Sequence, residues 1–286
     1  MTGSIVRREH FAVVGSTNDV IRGWLADGTA EVCLAVADEQ TAGRGREGRT
    51  WLAPRGGALL LSIGFRPGWL APELVWRLAA TASIAMADAA ESTAGLPAGA
   101  IRLKWPNDLV VEGSSGEIRK LAGVLGETDG LGGPDPRAII GLGLNTDWTA
   151  ADFPPSLAGS MTSLREASPN RPIHHEALLD AFLGVLEPAL DALRGGRFDA
   201  DAWADRQITT GRDVELVGAD GVVATVRPGG VDPATGALLV EDRLAPEGLR
   251  QVVVGEIRHV RIPGTGAGAS TVAGADAASR PAGVGV

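Results

Sequence analysis

The sequence predicts an α+β fold in which one large domain is followed by a small barrel of short strands. With 286 residues, the chain can form one full-sized core and a second, smaller one. Apolar runs of strand length alternate with stretches of helical spacing in the first part of the chain. From Gly211 onward, short alternating segments separated by turns are typical of a small barrel. We therefore expect domains at residues 1–210 and 211–262.

Three apolar runs near the start of the chain predict strands at residues 11–14, 32–37 and 58–65. A helix is predicted after the first strand, where Ser16, with Asp19 three residues later, resembles a capping box. The Ser16 and Thr17 hydroxyls either cap this helix or face a bound polar ligand, and both can hold at once.

The middle of the chain adds a helix from Pro72 to about residue 95 and further helices at 174–193 and 199–207. His174 and His175, at a helix start, are expected to be surface residues.

Between these helices, the sequence predicts a strand at 101–105, a hairpin at 108–127 and a buried strand at 138–145. Glycine weakens a strand unless something must approach its backbone. Gly141 and Gly143 are therefore candidates for the floor beneath a ligand.

Composition excludes several classes of protein. The net charge of −9 gives no global basic field for non-specific nucleic-acid binding. Cys33 is the only cysteine, so it has no internal disulfide partner and is expected to be buried. Residues 1–20 lack the apolar stretch of a signal peptide, and no run approaches a membrane span, so we expect a cytoplasmic protein. Residues 263–286 are rich in glycine and alanine and are predicted to be disordered.

A loop at residues 43–49 contains three glycines and three arginines. Glycines permit tight turns and close approach to a ligand, and arginines bind carboxylate or phosphate in a two-pronged way. The spelling Gly43-x-Gly45-x-x-Gly48 also matches the dinucleotide fingerprint. That reading fails because a strand-like run follows where a helix is required, and no acidic residue occurs between Arg49 and Pro72. The loop predicts a site for a small anionic molecule.

Several segments, taken in order, resemble a bacterial biotin protein ligase. They are Ser16-Thr17-Asn18, Gln40-Thr41-Ala42-Gly43-Arg44-Gly45-Arg46-Glu47-Gly48-Arg49-Thr50-Trp51, Lys104-Trp105-Pro106-Asn107-Asp108, Lys120-Leu121-Ala122-Gly123 and Gly141-Leu142-Gly143-Leu144-Asn145. The resemblance implies a catalytic domain similar to that of class II aminoacyl-tRNA synthetases, with a mixed or antiparallel sheet, followed by an SH3-like barrel. It also implies that biotin is activated with ATP and Mg²⁺ as biotinyl-5′-AMP and transferred to a lysine of a biotin carboxyl carrier domain.

The same resemblance implies roles for individual residues. The residues expected to bind biotin are Ser16, Thr17, Asn18, Gln40, Gly43, Arg44, Gly45, Arg46, Lys120 and Gly123. Those expected to bind ATP or the adenylate are Arg46, Arg49, Trp51, Asn107, Lys120 and Asn145, with Trp51 stacked on adenine and Asn145 at its edge. Catalysis is assigned to Lys120, Arg44, Arg46 and Asp108. The loop is expected to be mobile without ligand and ordered over the adenylate.

Some assignments keep alternatives. Asp108 is a metal partner, a proton acceptor or a structural anchor, and the metal ligands are unknown. Lys104 either forms a structural ion pair or serves the site, and Lys120, read alone, is equally a solvated lysine at the start of a strand. Trp51 stacks on a ligand or packs in the core, and Arg49 either binds ligand or closes the loop.

Two alternative functions are a lipoate–protein ligase and a non-catalytic regulator. A lipoate–protein ligase shares the chemistry but would lack the dense glycine–arginine alternation. A non-catalytic biotin- or nucleotide-binding regulator has no need of an assembled phosphoryl site.

Because the Ser16 motif begins so early, no N-terminal DNA-binding domain and no DNA partner are expected. A biotin carboxyl carrier protein or domain is the expected partner, no membrane partner is expected, and both a monomer and a homodimer remain open.

Overall fold

The computed structural model describes residues 5–168, 171–218, 220–245, 248–253 and 255–260. It contains one large mixed sheet covered by helices, followed by two small sheets. The α+β class is therefore confirmed. The predicted tail at 263–286 lies outside the described residues.

The large sheet has seven strands in the spatial order β1-β2-β3-β7-β6-β5-β4. β1 and β2 are parallel, and every other neighbouring pair is antiparallel. The strands are β1 (Arg7–Phe11), β2 (Cys33–Ala37), β3 (Ala58–Phe65), β4 (Ile101–Lys104), β5 (Asp108–Glu112), β6 (Ile118–Asp129) and β7 (Arg137–Asn145). The predictions for β2 to β7 are confirmed to within a residue or two.

The prediction for the first strand is wrong, because residues 11–14 mostly follow β1. The strand is Arg7–Phe11, a mostly charged segment in which half-buried and exposed residues alternate at one edge of the sheet. Edge strands tolerate charges because only one side is paired, and for that reason the apolar pattern did not locate it.

Helices cover both faces of the sheet. They are α1 (Thr17–Ala26), α2 (Trp76–Ala94), α3 (Leu164–Ala167), α4 (His175–Arg194) and α5 (Ala200–Asp205). α1 packs on one face with a small core that includes Ile21, Leu25 and Cys33, where burial raises the pKa of the Cys33 thiol. α2 and α4 contribute to the larger core, which lies on the opposite face.

Alternation along the strands decides what each face presents. In β7, Ile140 and Leu142 belong to the larger core. Gly141, Gly143 and Asn145 alternate with them and point to the α1 face. Side chains in this part of the α1 face are small or absent, so a cavity forms beside α1.

The C-terminal part forms two three-stranded sheets, ordered β10-β11-β12 and β13-β8-β9. The strands are β8 (Val214–Gly218), β9 (Val223–Val226), β10 (Pro228–Val231), β11 (Leu238–Glu241), β12 (Leu249–Val252) and β13 (Gly255–Val260). The short strands expected in this part were 214–217, 222–226, 237–240 and 251–254, so β10 and β13 were not predicted. The Pro-Gly-Gly start of β10 has low strand propensity.

This C-terminal unit contacts the large sheet next to β4 and β5. Trp105 Nε1 donates to Gly236 O at 3.1 Å. Arg212 makes a two-pronged contact with Glu112, both N–O distances being 2.8 Å. The C-terminal unit therefore contacts both the turn between β4 and β5 and the end of β5.

Candidate active site

A cavity of about 600 Å³ opens on the α1 face of the large sheet. Pockets of this size hold small-molecule ligands of drug or cofactor dimensions. Its lining includes Ser16, Thr17, Asn18, Gln40, Arg44, Gly45, Arg46, Arg49, Trp51, Lys104, Asn107, Asp108, Lys120, Gly123, Gly141 and Gly143. Segments spread over more than a hundred positions thus meet at one site.

The start of α1 supplies the polar end of the cavity. The Thr17 amide and hydroxyl both donate to Gln40 Oε1, at 2.7 and 2.9 Å. Ser62 Oγ lies 2.7 Å from Thr17 Oγ1 and also bonds Asn18 Oδ1. Thr17, Asn18 and Ser62 are buried and Gln40 is half-buried. Because these side chains bind one another, the polar end is built before any ligand arrives.

Ser16 is confirmed as the N-cap position of α1, but the predicted capping box does not form. The Ser16 side chain makes no capping hydrogen bond, and it is buried in the cavity lining. Asp19 does not complete a capping box either. Its carboxylate accepts hydrogen bonds from Arg22 and Arg44 instead.

Glycines on β6 and β7 form the floor of the cavity, and Trp51 packs directly on them. A β-carbon added at Gly143 would lie 2.6 Å from Trp51 Cε2, and one at Gly123 would lie 3.0 Å from Trp51 Cζ3. At Gly141 the added carbon would meet Asn18 Oδ1. Only glycine permits the indole and the amide to approach the strands this closely.

The glycine–arginine loop folds back on itself above this floor. Trp51 N donates to Gly43 O at 2.9 Å, and Gly45 N donates to Arg49 O at 2.6 Å. Between them lies a short 3₁₀ turn, Arg46–Gly48, in which Glu47 has a positive φ of 56°. Arg44, Arg46 and Arg49 all reach the cavity lining. The loop therefore brings several cations to the mouth.

Opposite the loop, Asp108 lies between two lysines. Lys120 Nζ is 2.6 Å from Asp108 Oδ1, and Lys104 Nζ is 3.9 Å from Oδ2. Lys120 Nζ also lies 5.5 Å from the Trp51 ring, within range of a cation–π contact. Lys104 therefore forms an ion pair. Lys120 is half-buried and paired with Asp108, so it is not a solvated lysine.

Asn107 turns its side chain back to the strand. Asn107 Nδ2 donates to Val124 O at 2.8 Å, and Val124 N donates to Asn107 O at 2.9 Å. This pairing fixes the turn that carries Asp108.

Two of the predicted site residues do not line the cavity. Asn145 is 1% exposed and donates from Nδ2 to Thr162 O at 3.0 Å. Gly43 packs against the Trp51 backbone and Gln40. Both therefore lie behind the lining: Asn145 at the end of β7 and Gly43 at the start of the glycine–arginine loop.

Sequence reasoning missed several lining or supporting residues. A single polar residue in the apolar run 58–65 was a signal for Ser62. Leu157, Ser160 and Met161 come from an irregular segment that carries no pattern, and it pairs with Lys120 through Lys120 N to Ser160 O at 2.7 Å. Ile257 of β13 also lines the cavity.

His175 is not the surface residue that was expected. Its Nε2 lies 2.6 Å from Thr146 Oγ1. The Thr146 hydroxyl donates its one hydrogen to Gly57 O at 2.9 Å, so it accepts from His175 Nε2. Burial is the largest influence on the His175 pKa and lowers it, while the charges of Asp38 and Asp147 oppose the shift.

The described part of the chain has neither a metal-binding cluster nor a membrane-spanning helix. Among the described residues, no group of three or more His, Cys, Asp or Glu side chains is arranged to hold a metal ion. No described helix has the length and apolarity needed to cross a bilayer.

The fold and the lining define a site for a small anionic ligand, and comparison with known proteins identifies the family. A model of the biotin/lipoate A/B protein ligase family matches residues 10–145. The biotin--[acetyl-CoA-carboxylase] ligase of Mycobacterium tuberculosis is 31% identical over 220 residues, which are 76% of this chain and 77% of that protein. The bifunctional ligase/repressor BirA of Bacillus spizizenii is 33% identical over 156 residues, 54% of this chain but only 45% of that protein.

Solved structures agree with these matches. The biotin protein ligase from Aquifex aeolicus in complex with biotin and ATP has a TM-score of 0.71 and 25% identity, and the alignment covers 90% of this chain and 99% of that one. The chain belongs to the biotin/lipoate A/B protein ligase family.

Proposed function

We propose that this chain is a biotin protein ligase that activates biotin with ATP and transfers it to a lysine of a biotin carboxyl carrier domain. The observation that carries the proposal is the meeting of Lys120, Asp108, Trp51 and the glycine–arginine loop over a floor of glycines. A cavity of this volume, lined by several cationic and polar side chains, can hold both a carboxylate and a nucleotide. The relatives named above, which are biotin ligases, support biotin as the substrate.

In the first step, a biotin carboxylate oxygen attacks the α-phosphorus of ATP. The bond to pyrophosphate breaks, and biotinyl-5′-AMP and pyrophosphate form. Bringing two anions together and building charge on phosphoryl oxygens calls for positioning and electrostatic stabilisation. Lys120, Arg44 and Arg46 are the cations assigned to that task, with Asp108 orienting Lys120 through their ion pair.

In the second step, the ε-amino group of the carrier lysine attacks the biotinyl carbonyl carbon. An amide forms, AMP leaves, and the amine loses a proton. The mixed anhydride must be kept from water until then, and the loop over the cavity is suited to that.

The remaining assignments follow from position. Ser16, Thr17, Asn18 and Gln40 would bind the biotin ring system at the polar end. Gly123, next to Lys120 and Trp51, would lie beneath the biotinyl group, while Gly43 and Gly45 let the loop close. Trp51, with Asn107 and Arg49, would bind the nucleotide. Asn145, lying behind the lining, would act on adenine only through the strand that it anchors.

Magnesium is best understood as part of the substrate MgATP. Asp108 already pairs with Lys120, and the described residues offer no dedicated cage. Phosphate oxygens and water supply most ligands of Mg²⁺ in nucleotide sites.

At the level of fold, the large sheet and its helices would correspond to a catalytic domain like that of class II aminoacyl-tRNA synthetases. The two C-terminal sheets would together form an SH3-like barrel, with the boundary near residue 210. Ile257 at the cavity and Trp105 on Gly236 support a role for that barrel in completing the site.

The decisive experiment is a pyrophosphate-release assay with MgATP and biotin, run in parallel with lipoate. We expect pyrophosphate release with biotin but not with lipoate, followed by transfer of biotin to a carrier domain. Release with lipoate would identify a lipoate ligase instead. Binding of biotin without any release would identify a non-catalytic regulator.

A further inference from the structure

Two carboxylates that the assignments above do not use lie against Arg44. Asp19 accepts hydrogen bonds from Arg44 Nη1 and Nη2, each at 2.7 Å. Glu127 Oε2 lies 3.6 Å from Arg44 Nη2. Hydrogen bonding from Arg44 is the largest influence on the Asp19 pKa and lowers it. A two-pronged contact of this kind orients a guanidinium as well as binding it.

Both carboxylates are themselves fixed to the body of the protein. Asp19 lies in the first turn of α1, and Glu127 lies on β6. Glu127 accepts a hydrogen bond from Asn18 Nδ2 and pairs with Arg22 Nη2 at 2.9 Å. Asn18 lines the cavity. The network therefore links the polar end of the cavity to Arg44.

Arg44 lies at the point where the loop leaves the body of the protein. Just before it, Thr41 N donates to Val14 O at 2.9 Å, and Ala42 N donates to Gly15 O at 2.8 Å. Just after it, the hairpin that carries Trp51 begins. Holding the Arg44 side chain against α1 therefore fixes the root of the loop.

We propose that Asp19 and Glu127 are positioning residues that hold Arg44, and through it the glycine–arginine loop, in the geometry that binds the biotin carboxylate. The inference rests on the proposed function. A guanidinium has five N–H donors, and Asp19 engages two of its nitrogens. Arg44 can therefore keep its contact with Asp19 while it receives a substrate anion.

This arrangement predicts the direction of a mutational effect. If the acids position Arg44, then Asp19→Asn and Glu127→Gln each raise the KM for biotin, by about fivefold for an ion pair near the surface. The KM for ATP stays within about twofold. Acids that instead competed with biotin for Arg44 would give a lower KM on removal. A lowered or unchanged biotin KM overturns the proposal.

Two controls isolate the pair. Glu176→Gln removes an exposed acid from the first turn of α4. Like Asp19→Asn in α1, it removes a favourable interaction between a carboxylate and a helix N-terminus, but Glu176 does not contact Arg44. It should leave the biotin KM unchanged. In an Arg44→Ala background, Asp19→Asn should add no further increase, whereas an equal increase there would show that Asp19 acts by another route.

A second readout is independent of the reaction. Trypsin cleavage after Arg46 and Arg49, followed by mass spectrometry without ligands, should be several-fold faster in Asp19→Asn than in Glu176→Gln. Equal cleavage in the two variants overturns the positioning role, even if the wild type releases no pyrophosphate and the proposed function fails. If Asp19→Asn does not fold, Glu127→Gln and Arg44→Lys are measured in the same two assays.

Discussion

Lys120 and Asp108 form an ion pair inside the cavity, with 2.6 Å between Nζ and Oδ1. The two residues lie on the neighbouring strands β5 and β6, which are antiparallel. Lys104 lies on the other side of the carboxylate, at 3.9 Å. The pair is therefore part of a cluster with two positive charges and one negative, and the excess positive charge suits a site where anions meet.

Replacing Lys120 with alanine should lower kcat for pyrophosphate release by about a hundredfold or more, because a fixed cation then no longer stabilises the charge that develops in the transition state. Lys104 remains near Asp108, so the fold should survive. The measurement is steady-state release with biotin and MgATP. Arg119→Ala is the matched control, since Arg119 faces Glu166 at 3.7 Å and not the cavity. A Lys120→Ala rate within threefold of wild type would remove Lys120 from the mechanism.

A methyl group at Gly143 should displace Trp51. The added carbon would lie 2.6 Å from Trp51 Cε2, closer than packed atoms allow, and the indole must move off the floor. Gly143→Ala is therefore expected to raise the KM for ATP by about tenfold, which corresponds to about 1.4 kcal/mol of lost binding.

Gly126→Ala is the control for Gly143→Ala. It lies on the neighbouring strand, and the nearest atom to its added carbon is Ile140 Cδ1 at an ordinary 3.7 Å. Kinetic constants for Gly126→Ala should match those of the wild type. If Gly143→Ala also retains the wild-type KM for ATP, contact between Trp51 and the nucleotide is not needed for binding.

The extent to which sequence predicted this site follows from how each contact is made. Ser16 and Thr17 were candidates because their hydroxyls stand at the start of a predicted helix, whereas Asn18 and Gln40 were assigned only through the resemblance to biotin protein ligases. Asp19 and Glu127 were not linked to Arg44, because their meeting depends on how α1 sits on β6 and β7. Such packing is set by the tertiary fold and leaves no mark on spacing.

The same reasoning applies to the fold. Apolar runs located β2 to β7 closely, since buried strands are recognisable from their composition. The charged edge strand β1, the glycine-rich β10 and the last strand β13 were missed, because pairing partners, rather than their own residues, make them strands. His175 was assigned to the surface because nothing in the sequence indicated Thr146 as its partner.

The buried ion pair between Glu91 of α2 and Arg206 should contribute strongly to the free energy of unfolding. Glu91 is 4% exposed and accepts hydrogen bonds from Ile101 N at 2.8 Å and from Arg206 Nη1 at 3.0 Å. Arg206→Ala leaves that carboxylate buried without its cation, which typically costs about 3–5 kcal/mol of unfolding free energy. Urea unfolding measures it.

The control for Arg206→Ala is Arg165→Ala, which breaks the exposed pair with Asp147. Exposed pairs are screened by solvent, so this change should be far smaller. Equal losses in the two variants would mean that burial of Glu91 does not set the cost.

The stability of the fold should depend on pH through His175. Burial lowers the His175 pKa from its ordinary value of 6.5, so the folded state favours the neutral imidazole beside Thr146. The unfolded chain takes up the proton first as the pH falls. This contribution is therefore complete above pH 6.5, and it is lost progressively from there down to the lowered pKa of the folded state. His175→Gln can keep a hydrogen bond to Thr146 but cannot titrate. Urea unfolding at pH 7.5 and 5.5 should show a larger loss for the wild type than for His175→Gln, whereas equal losses would mean that other groups carry the pH dependence.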